Sequence, residues 1–416
     1  MRIDLHWRVL VAIVLGGLVG YLGGADVVVF GINTLAIYET LGTLFVSALK
    51  MVAVPLVVTS VIASVSRFGS AHALRRVGLR VLLLYVLTTL AAVLVAVTVF
   101  GLVKPGLISG TPAGVRMALD AASAELRGKL TSGTRSLADG LLAIVPPNLF
   151  EAARNGNLPG LIFFSLLIGY SLTRIESECS RRLSESFVAL SETMVRTTAL
   201  FMQLAPVGVF GLVAHTVAKS GLDALGPLLL FSATVIASLS LYALGLLPLL
   251  VRLAARVNPW PLFPAMAPAL LTAFSTASSS ASLATSIDCV ERRVGVSKRV
   301  GGLVMSLGPS LNHAGTALYE CVAVLFIAQA CGVALSIGEE VMAALMALGT
   351  SMGIAGIPGS SAVAITAILS SLGLPAEAVG VLLVFDRVLD MCRTAVNVFA
   401  DACCALIVAT REGETT

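Results

Sequence analysis

Charged residues are scarce in this sequence. Only 12% of its 416 residues are Asp, Glu, Lys or Arg, and four are His, whereas a soluble domain carries roughly 25% charged residues. About half of the polar surface that a water-soluble fold needs is therefore missing. The formal net charge is +4, and Lys and Arg gather into no stripe, so the chain lacks the electrostatic footprint of a nucleic-acid binder. Seven cysteines (Cys179, Cys289, Cys321, Cys331, Cys392, Cys403 and Cys404) form no C-x-x-C pair. Most lie in apolar context, where cysteine behaves as a small hydrophobe. Disulfides, structural zinc and thiol catalysis are excluded on that pattern. No H-E-x-x-H or G-x-S-x-G is present, and the reading is of a non-enzyme without a cofactor.

What is abundant is apolar length. Hydrophobic residues make up 57% of the chain, and the mean hydropathy is +0.97. A helix needs about 20 apolar residues to cross the hydrocarbon. Candidate spans are Trp7–Leu22, Leu41–Val65, Val81–Val103, Leu158–Leu172, Phe187–Val217, Leu228–Val251 and Val300–Ala330. The first follows Arg2 and Arg8 directly, which does not fit a cleavable signal peptide. Basic residues cluster at Arg2–Arg8, Arg67–Arg80, Arg174–Arg182, Arg252–Arg256, Arg292–Arg299 and Arg411, whereas Gly23–Thr40 and Gly332–Glu340 carry acids. By the positive-inside rule both termini are expected in the cytoplasm, and the chain is expected in the plasma (inner) membrane as a multi-pass protein. The mixed-charge segment Lys104–Leu158 reads as an outward excursion.

Two segments interrupt the apolar pattern. LTAFSTASSSASLATSI, between Pro261 and Arg292, is rich in Ser and Thr. LGTSMGIAGIPGSSAVAI, between Val341 and Leu374, places Gly, Ser and Pro inside an apolar run. Irregular backbone at membrane depth is tolerated only inside protein or beside a water-filled cavity, so both read as re-entrant hairpins with interior tips. Each is followed by an apolar segment broken by polar residues, the first at Ser310–Thr316 and the second at Asp386–Asp401. The first unit starts from basic connections and the second from acidic ones. Such inverted repeats with broken helices place a transporter substrate near the bilayer midplane.

The final apolar segment, FDRVLDMCRTAVNVFADACCALIVA, carries Asp386, Asp390, Arg393, Thr394, Asn397 and Asp401. At about 100° per residue these fall within an arc of roughly 100°. Charges at this depth cost at least ~2.5 kcal/mol each, which spacings of four and three residues let Asp386, Asp390 and Arg393 offset in part. A buried ion-pair network that only fixes packing would show the same spacing. Six polar residues on one stripe, facing two polar hairpins, argue instead for recognition of an acidic amino acid. Arg393 offers a fork for a side-chain carboxylate and Asp390 an acceptor for ammonium. Thr394 and Asn397 can orient the main chain, and Ser278, Ser279 and Ser280 can form a nest for an α-carboxylate.

The blocks SSS, N-x-x-G-T, G-I-P-G and D-x-x-x-D-x-x-R-T-x-x-N-x-x-x-D, with LKMVAVPLVV, PPNLFEAARNGNLPGLIFF and APVGVFGLVA, resemble the dicarboxylate/amino acid:cation symporters over nearly the whole chain. The resemblance implies an all-α integral membrane protein with eight transmembrane helices, two re-entrant hairpins and inverted repeats, working as an elevator within a homotrimer. It divides the chain into scaffold helices over 1–77, a transport-domain helix over 78–104, and a scaffold region over 105–261 that contains a transport-domain helix near 225–253. The transport core then occupies 262–416. It implies a substrate site of Arg393, Asp390, Thr394, Asn397, Thr316, Ser278–Ser280 and the backbone at Gly356, with Asp386 as ion-pair support. It also implies one sodium site at Gly308, Asn312, Asn397 and Asp401, and a second at Tyr85, Thr88, Thr89 and Asn312. A third would use hairpin carbonyls near Ser351–Ile354 beside His313.

Departures from the family pattern shift the expected coupling. The family reads N-M-D-G-T where this chain has Asn312-His313-Ala314-Gly315-Thr316, so the second sodium site lacks its carboxylate and the third is altered. Glu320 and His313 are candidate proton-handling groups, since a neutral acid or imidazole crosses hydrocarbon far more cheaply than an ion. The expectation is symport of aspartate or glutamate with H+, and with fewer Na+ than usual. The alternatives are a C4-dicarboxylate carrier and a fully sodium-coupled aspartate symporter. Ala277 and Met391 stand where relatives place an extra arginine, while Arg387 stands one turn from the functional acids; Ala284 replaces a proline after the serine tip.

Overall fold

Backbone groups in a chain this apolar have no water to pair with, which leaves the helix as the element that satisfies them internally. The computed structural model describes residues 5–24, 28–29, 32–66, 72–108, 110–114, 145–154, 158–221, 225–353, 360–375 and 378–414. In chain order the helices are α1 (Leu5–Gly23), α2 (Thr34–Ser66), α3 (His72–Val103), α4 (Leu149–Arg154), α5 (Leu158–Arg174), α6 (Glu178–Met202) and α7 (Ala205–Ser220). There follow α8 (Leu225–Ser240), a π-helical turn (Leu241–Leu246), α9 (Leu247–Ala254), α10 (Leu262–Thr276), α11 (Ser279–Arg292) and α12 (Lys298–Leu311). The last are α13 (Ala314–Ala330), α14 (Ile337–Gly353), α15 (Ser360–Ser371) and α16 (Val379–Glu412). Two antiparallel ladders of two residues per strand, Val28–Val29 with Ile32–Asn33 and Leu107–Ile108 with Thr111–Pro112, lie in the connections after α1 and α3. Among the described residues, four helices are long and apolar enough to cross a membrane, or five if one bent pair counts as a single span. Shorter apolar helices include Trp7–Gly23 and Gly160–Arg174.

The helices form two groups. In one, α2 packs on α5, α6 and α7, and α1 packs on α7. The α1–α7 contact uses Gly16 and Gly20: a methyl at Gly20 would sit 2.6 Å from the Ala214 carbonyl, and one at Gly16 2.8 Å from that of Phe210. Small residues four apart bring membrane helices into backbone contact. In the other group, α13 is buried from Ala314 to Ala330 except at Gln329. It packs on α3, α8, α14, α15 and α16. The groups meet where α2 touches α12, α14 and α15, and where α7 touches α16.

Three sequence expectations change in detail. The stretch Phe187–Val217 is not one helix: α6 and α7 meet at 51°, because Pro206 at the start of α7 has no N–H to continue the α6 ladder. The helix near 225–253 contains the π turn, immediately before Pro248. The final helix is interrupted in composition only, running unbroken for 34 residues. By contrast the first hairpin and its broken helix are present. Ala277 takes a left-handed conformation (φ 49°) and Ser278 caps α11 by accepting from the Ala281 N–H. The α12–α13 break falls at Asn312 and His313, whose dihedrals leave the helical region.

One end of the second group is tied together by charge. Arg80, in the third turn of α3, pairs with Glu412, and Arg299 lies 3.3 Å from Glu414. Arginines of α3 and α12 thus meet the C-terminal end of α16.

Candidate functional site

The polar stripe of α16 is buried. Asp386, Asp390, Arg393, Thr394, Asn397 and Asp401 are each at most 8% exposed, and Arg393 is 0% exposed. Burial of a guanidinium at this depth requires compensation, and Arg393 receives it from below and beside. Its Nη2 donates to Asp390 Oδ1 (2.9 Å) and to Asp386 Oδ1 (3.1 Å). Its Cζ lies 3.8 Å from the centre of the Tyr319 ring, a cation–π contact that is strong when desolvated. Both carboxylates use the same nitrogen. Nε and Nη1 are buried without a hydrogen-bond partner among the described residues. Arg387 approaches Asp390 Oδ2 from the other side at 3.9 Å.

One turn further along α16, the amide of Asn397 bridges the stripe to the broken helix. Its Nδ2 donates to Thr316 Oγ1 (3.1 Å) and its Oδ1 accepts the Gly315 N–H (2.8 Å). Thr394 turns its hydroxyl onto the Asp390 carbonyl (2.8 Å). Ser278, Ser279 and Ser280 form the tip of the first hairpin. Ser279 is buried and Ser280 exposed, and among the described residues neither is hydrogen-bonded to the stripe. Gly356 and Ile354 lie outside the described residues.

A second polar cluster surrounds Asp401. Asn312 Nδ2 donates to Asp401 Oδ1 (2.7 Å), while its Oδ1 accepts from the Thr89 hydroxyl (3.5 Å). Gly308 lies against the same carboxylate so closely that any Cβ there would overlap it; only glycine fits. Neutral and anionic oxygens with no sulfur or nitrogen ligand suit a hard cation such as sodium. The other cluster is less complete. The Tyr85 hydroxyl donates to the Val304 carbonyl (2.7 Å), Thr88 donates to the Tyr85 carbonyl (3.0 Å), and Ala314 is fully buried with no side-chain oxygen to offer. Among the described residues no group of three or more His, Cys, Asp or Glu is placed to hold a metal.

The second hairpin meets the broken helix through two side chains. His313 Nδ1 lies 3.0 Å from the Ser351 carbonyl, and Thr350 Oγ1 lies 2.7 Å from Glu320 Oε2. The same hydroxyl is 2.8 Å from the Met346 carbonyl. A hydroxyl carries one hydrogen, so it cannot serve a carboxylate and a carbonyl together. If Glu320 carries a proton, it donates to Thr350 and Thr350 donates to Met346, and both contacts are satisfied.

Tyr319, Thr350 and Tyr242 escape a reading of the sequence alone. Tyr319 stands three residues beyond Thr316 on α13, so helical spacing points it toward the same face, but its ring reads as ordinary apolar filling. Thr350 looks like one more small residue in a helix. Tyr242, whose hydroxyl donates to the Thr88 carbonyl (3.2 Å), gives no local signal.

A profile described as the sodium:dicarboxylate symporter family matches residues 5–411. The chain is 33% identical to the proton/glutamate-aspartate symporter of Escherichia coli (strain K12), covering 98% of this chain and 93% of that protein. It is 30% identical to the proton/sodium-glutamate symport protein of Bacillus caldotenax, over 99% and 96%. It is 29% identical to the C4-dicarboxylate transport protein of Bacillus subtilis (strain 168), over 90% and 88%.

Proposed function

The chain belongs to the sodium:dicarboxylate symporter family, whose members are transporters rather than enzymes, and from that premise we propose that it imports aspartate or glutamate together with protons. The observation that carries the substrate assignment is Arg393. Its guanidinium is fixed by two carboxylates and a tyrosine ring, while its Nε and Nη1 stay buried and unpartnered among the described residues. An incoming side-chain carboxylate would accept a charge-assisted hydrogen bond from one of these donors, which a neutral side chain matches only weakly. Asp390 then accepts the substrate ammonium, and Thr316, Thr394, Asn397, Gly356 and the Ser278–Ser280 tip complete the pocket.

Proton coupling is supported by Ala314, which removes the one carboxylate that a sodium site at Tyr85, Thr88, Thr89 and Asn312 would need, and by the Glu320–Thr350 contact. The Gly308–Asn312–Asn397–Asp401 cluster keeps its oxygens and could carry a single sodium ion. We further propose a homotrimer in the cytoplasmic (inner) membrane, with eight spans, both termini inside, and residues 78–104, 225–253 and 262–416 moving as an elevator against the rest. The 29% identity to a C4-dicarboxylate transport protein supports a dicarboxylate carrier as the second reading. Radiolabelled aspartate uptake into proteoliposomes, under inward proton and sodium gradients imposed separately, tests the proposal. Accumulation driven by the proton gradient alone is expected. Accumulation only with sodium would overturn the coupling, and no aspartate uptake under either gradient would overturn the substrate.

A further inference from the structure

Four of the seven buried side-chain atoms that lack a hydrogen-bond partner among the described residues belong to two guanidinium groups. Nε and Nη1 of Arg393 are two of them, and Nε and Nη1 of Arg387 are the others. Arg387 is not simply the mate of Asp390. Its side chain is 9% exposed, and its Nη1 lies 3.9 Å from Asp390 Oδ2, beyond hydrogen-bonding reach. The pair gains Coulombic attraction without satisfying the donors, and a buried charge whose hydrogen bonds stay unmade is costly. A packing role alone leaves that cost unexplained.

Position along α16 suggests what the donors await. Arg387, Asp390 and Arg393 follow one another at intervals of three residues, roughly 4.5 Å of helix each. Asp390 is engaged from both sides, at Oδ1 by Arg393 and at Oδ2 by Arg387. The order of charges is positive, negative, positive. An acidic amino acid carries the reverse, two carboxylates with an ammonium between them, and complementary order of this kind is what confers selectivity. Charge count points the same way. Asp386, Asp390 and Arg393 alone carry a formal net charge of −1, which repels an anionic substrate where the dielectric constant is low. Arg387 brings the four to zero.

We propose that Arg387 is a second carboxylate-binding residue of the site and takes the α-carboxylate, while Arg393 takes the side-chain carboxylate and Asp390 the ammonium between them. This role rests on an acidic amino acid being the substrate, and it extends the selectivity of the site. Arg393 discriminates against asparagine, whose side chain is neutral; Arg387 discriminates against the α-amide of aspartate, whose main-chain end is neutral.

The test is solid-state NMR of the full chain in liposomes, with arginine isotopically labelled at the guanidinium nitrogens and bound aspartate labelled at one carboxylate carbon or the other. Dephasing of each carbon signal by the nitrogens reads its contact with arginine. Both carboxylates are expected to be dephased in the wild type. In Arg387→Lys, which keeps the charge and loses the guanidinium, the α-carboxylate is expected to lose its dephasing and the side-chain carboxylate to keep it. Arg387→Gln is expected to weaken equilibrium binding of aspartate roughly 10- to 100-fold, the range for a hydrogen bond to a charged group. An α-carboxylate without dephasing in the wild type would overturn the assignment, since Arg387 would then act only through Asp390. So would dephasing of the α-carboxylate retained in Arg387→Lys, or unchanged affinity in Arg387→Gln. If neither Arg387 variant folds, Arg393→Lys decides: the α-carboxylate must stay dephased while the side-chain carboxylate does not. If aspartate does not bind the wild type, the substrate reading fails separately, and succinate labelled at both carboxylates takes its place. Dephasing of succinate that Arg387→Lys leaves unchanged then overturns the role of Arg387, and a partial fall supports it.

Discussion

Arg393 and Asp390 divide the work of recognising an acidic amino acid, and each can be tested alone. Asp390→Asn removes the acceptor for ammonium but leaves Asp386 on Nη2 of Arg393. Aspartate uptake is expected to fall at least 100-fold while succinate still competes for the site; equal loss of both in a binding assay would mean that Asp390 serves only to hold the arginine. Gly308 is a second residue with a defined demand. Gly308→Ala forces the Asp401 carboxylate away from α12, and overpacking of this kind costs about 1–3 kcal/mol. A lower midpoint of thermal unfolding in detergent is the expected result. Gly302→Ala, where a methyl meets nothing within 4 Å, serves as the control that should not fall.

At the level of elements, helix ends add to the chemistry on the polar face of α16. The left-handed Ala277 and the cap at Ser278 turn the first hairpin, and the break at Asn312–His313 lets α12 and α13 point their ends at α14 and α16. Glu320 and Thr350 join the broken helix to the second hairpin. Glu320→Gln keeps a donor for the threonine hydroxyl and removes the transferable proton. Its expected behaviour is loss of pH-gradient-driven accumulation with retention of exchange between internal and external aspartate. Full proton-driven uptake by this variant would remove Glu320 from the coupling. The first hairpin and the break were legible because polar residues in an apolar run have few ways to exist in a membrane, whereas the Gly and Pro of the second hairpin's tip lie outside the described residues. The bend between α6 and α7 was less legible, since Pro206 lies inside the single candidate span Phe187–Val217.

For the whole molecule, the boundary between the two helix groups decides whether transport is a sliding motion. Leu212 on α7 reaches Gly380 at the start of α16, where an added methyl would lie 3.3 Å from its Cδ2. With the native cysteines replaced, Leu212→Cys with Gly380→Cys is expected to be joined by a short bifunctional thiol reagent and to stop uptake, which a cleavable linker would restore on reduction. Unchanged uptake with the pair fully linked would show that α7 and α16 keep this contact throughout the cycle.

The amino-acid order alone determined the solvent, the element type and the stripe. Low charge and long apolar runs require hydrocarbon, hydrocarbon requires helices, and a period of 3.6 residues puts Asp386, Asp390, Arg393, Thr394, Asn397 and Asp401 on one side of α16. These are consequences of local spacing, which a sequence carries explicitly. Only the tertiary structure decided which groups meet across the chain. Thr89 and Asn312 are 223 residues apart, Asn312 and Asp401 are 89 apart, and His313 finds Ser351 across 38. The stacking of Tyr319 under Arg393, the placing of the Thr350 hydroxyl between Glu320 and the Met346 carbonyl, and the approach of the His313 ring to the Ser351 carbonyl have no periodicity to announce them. They arise because buried polar groups must be satisfied by whatever the packing of distant helices brings within about 3 Å.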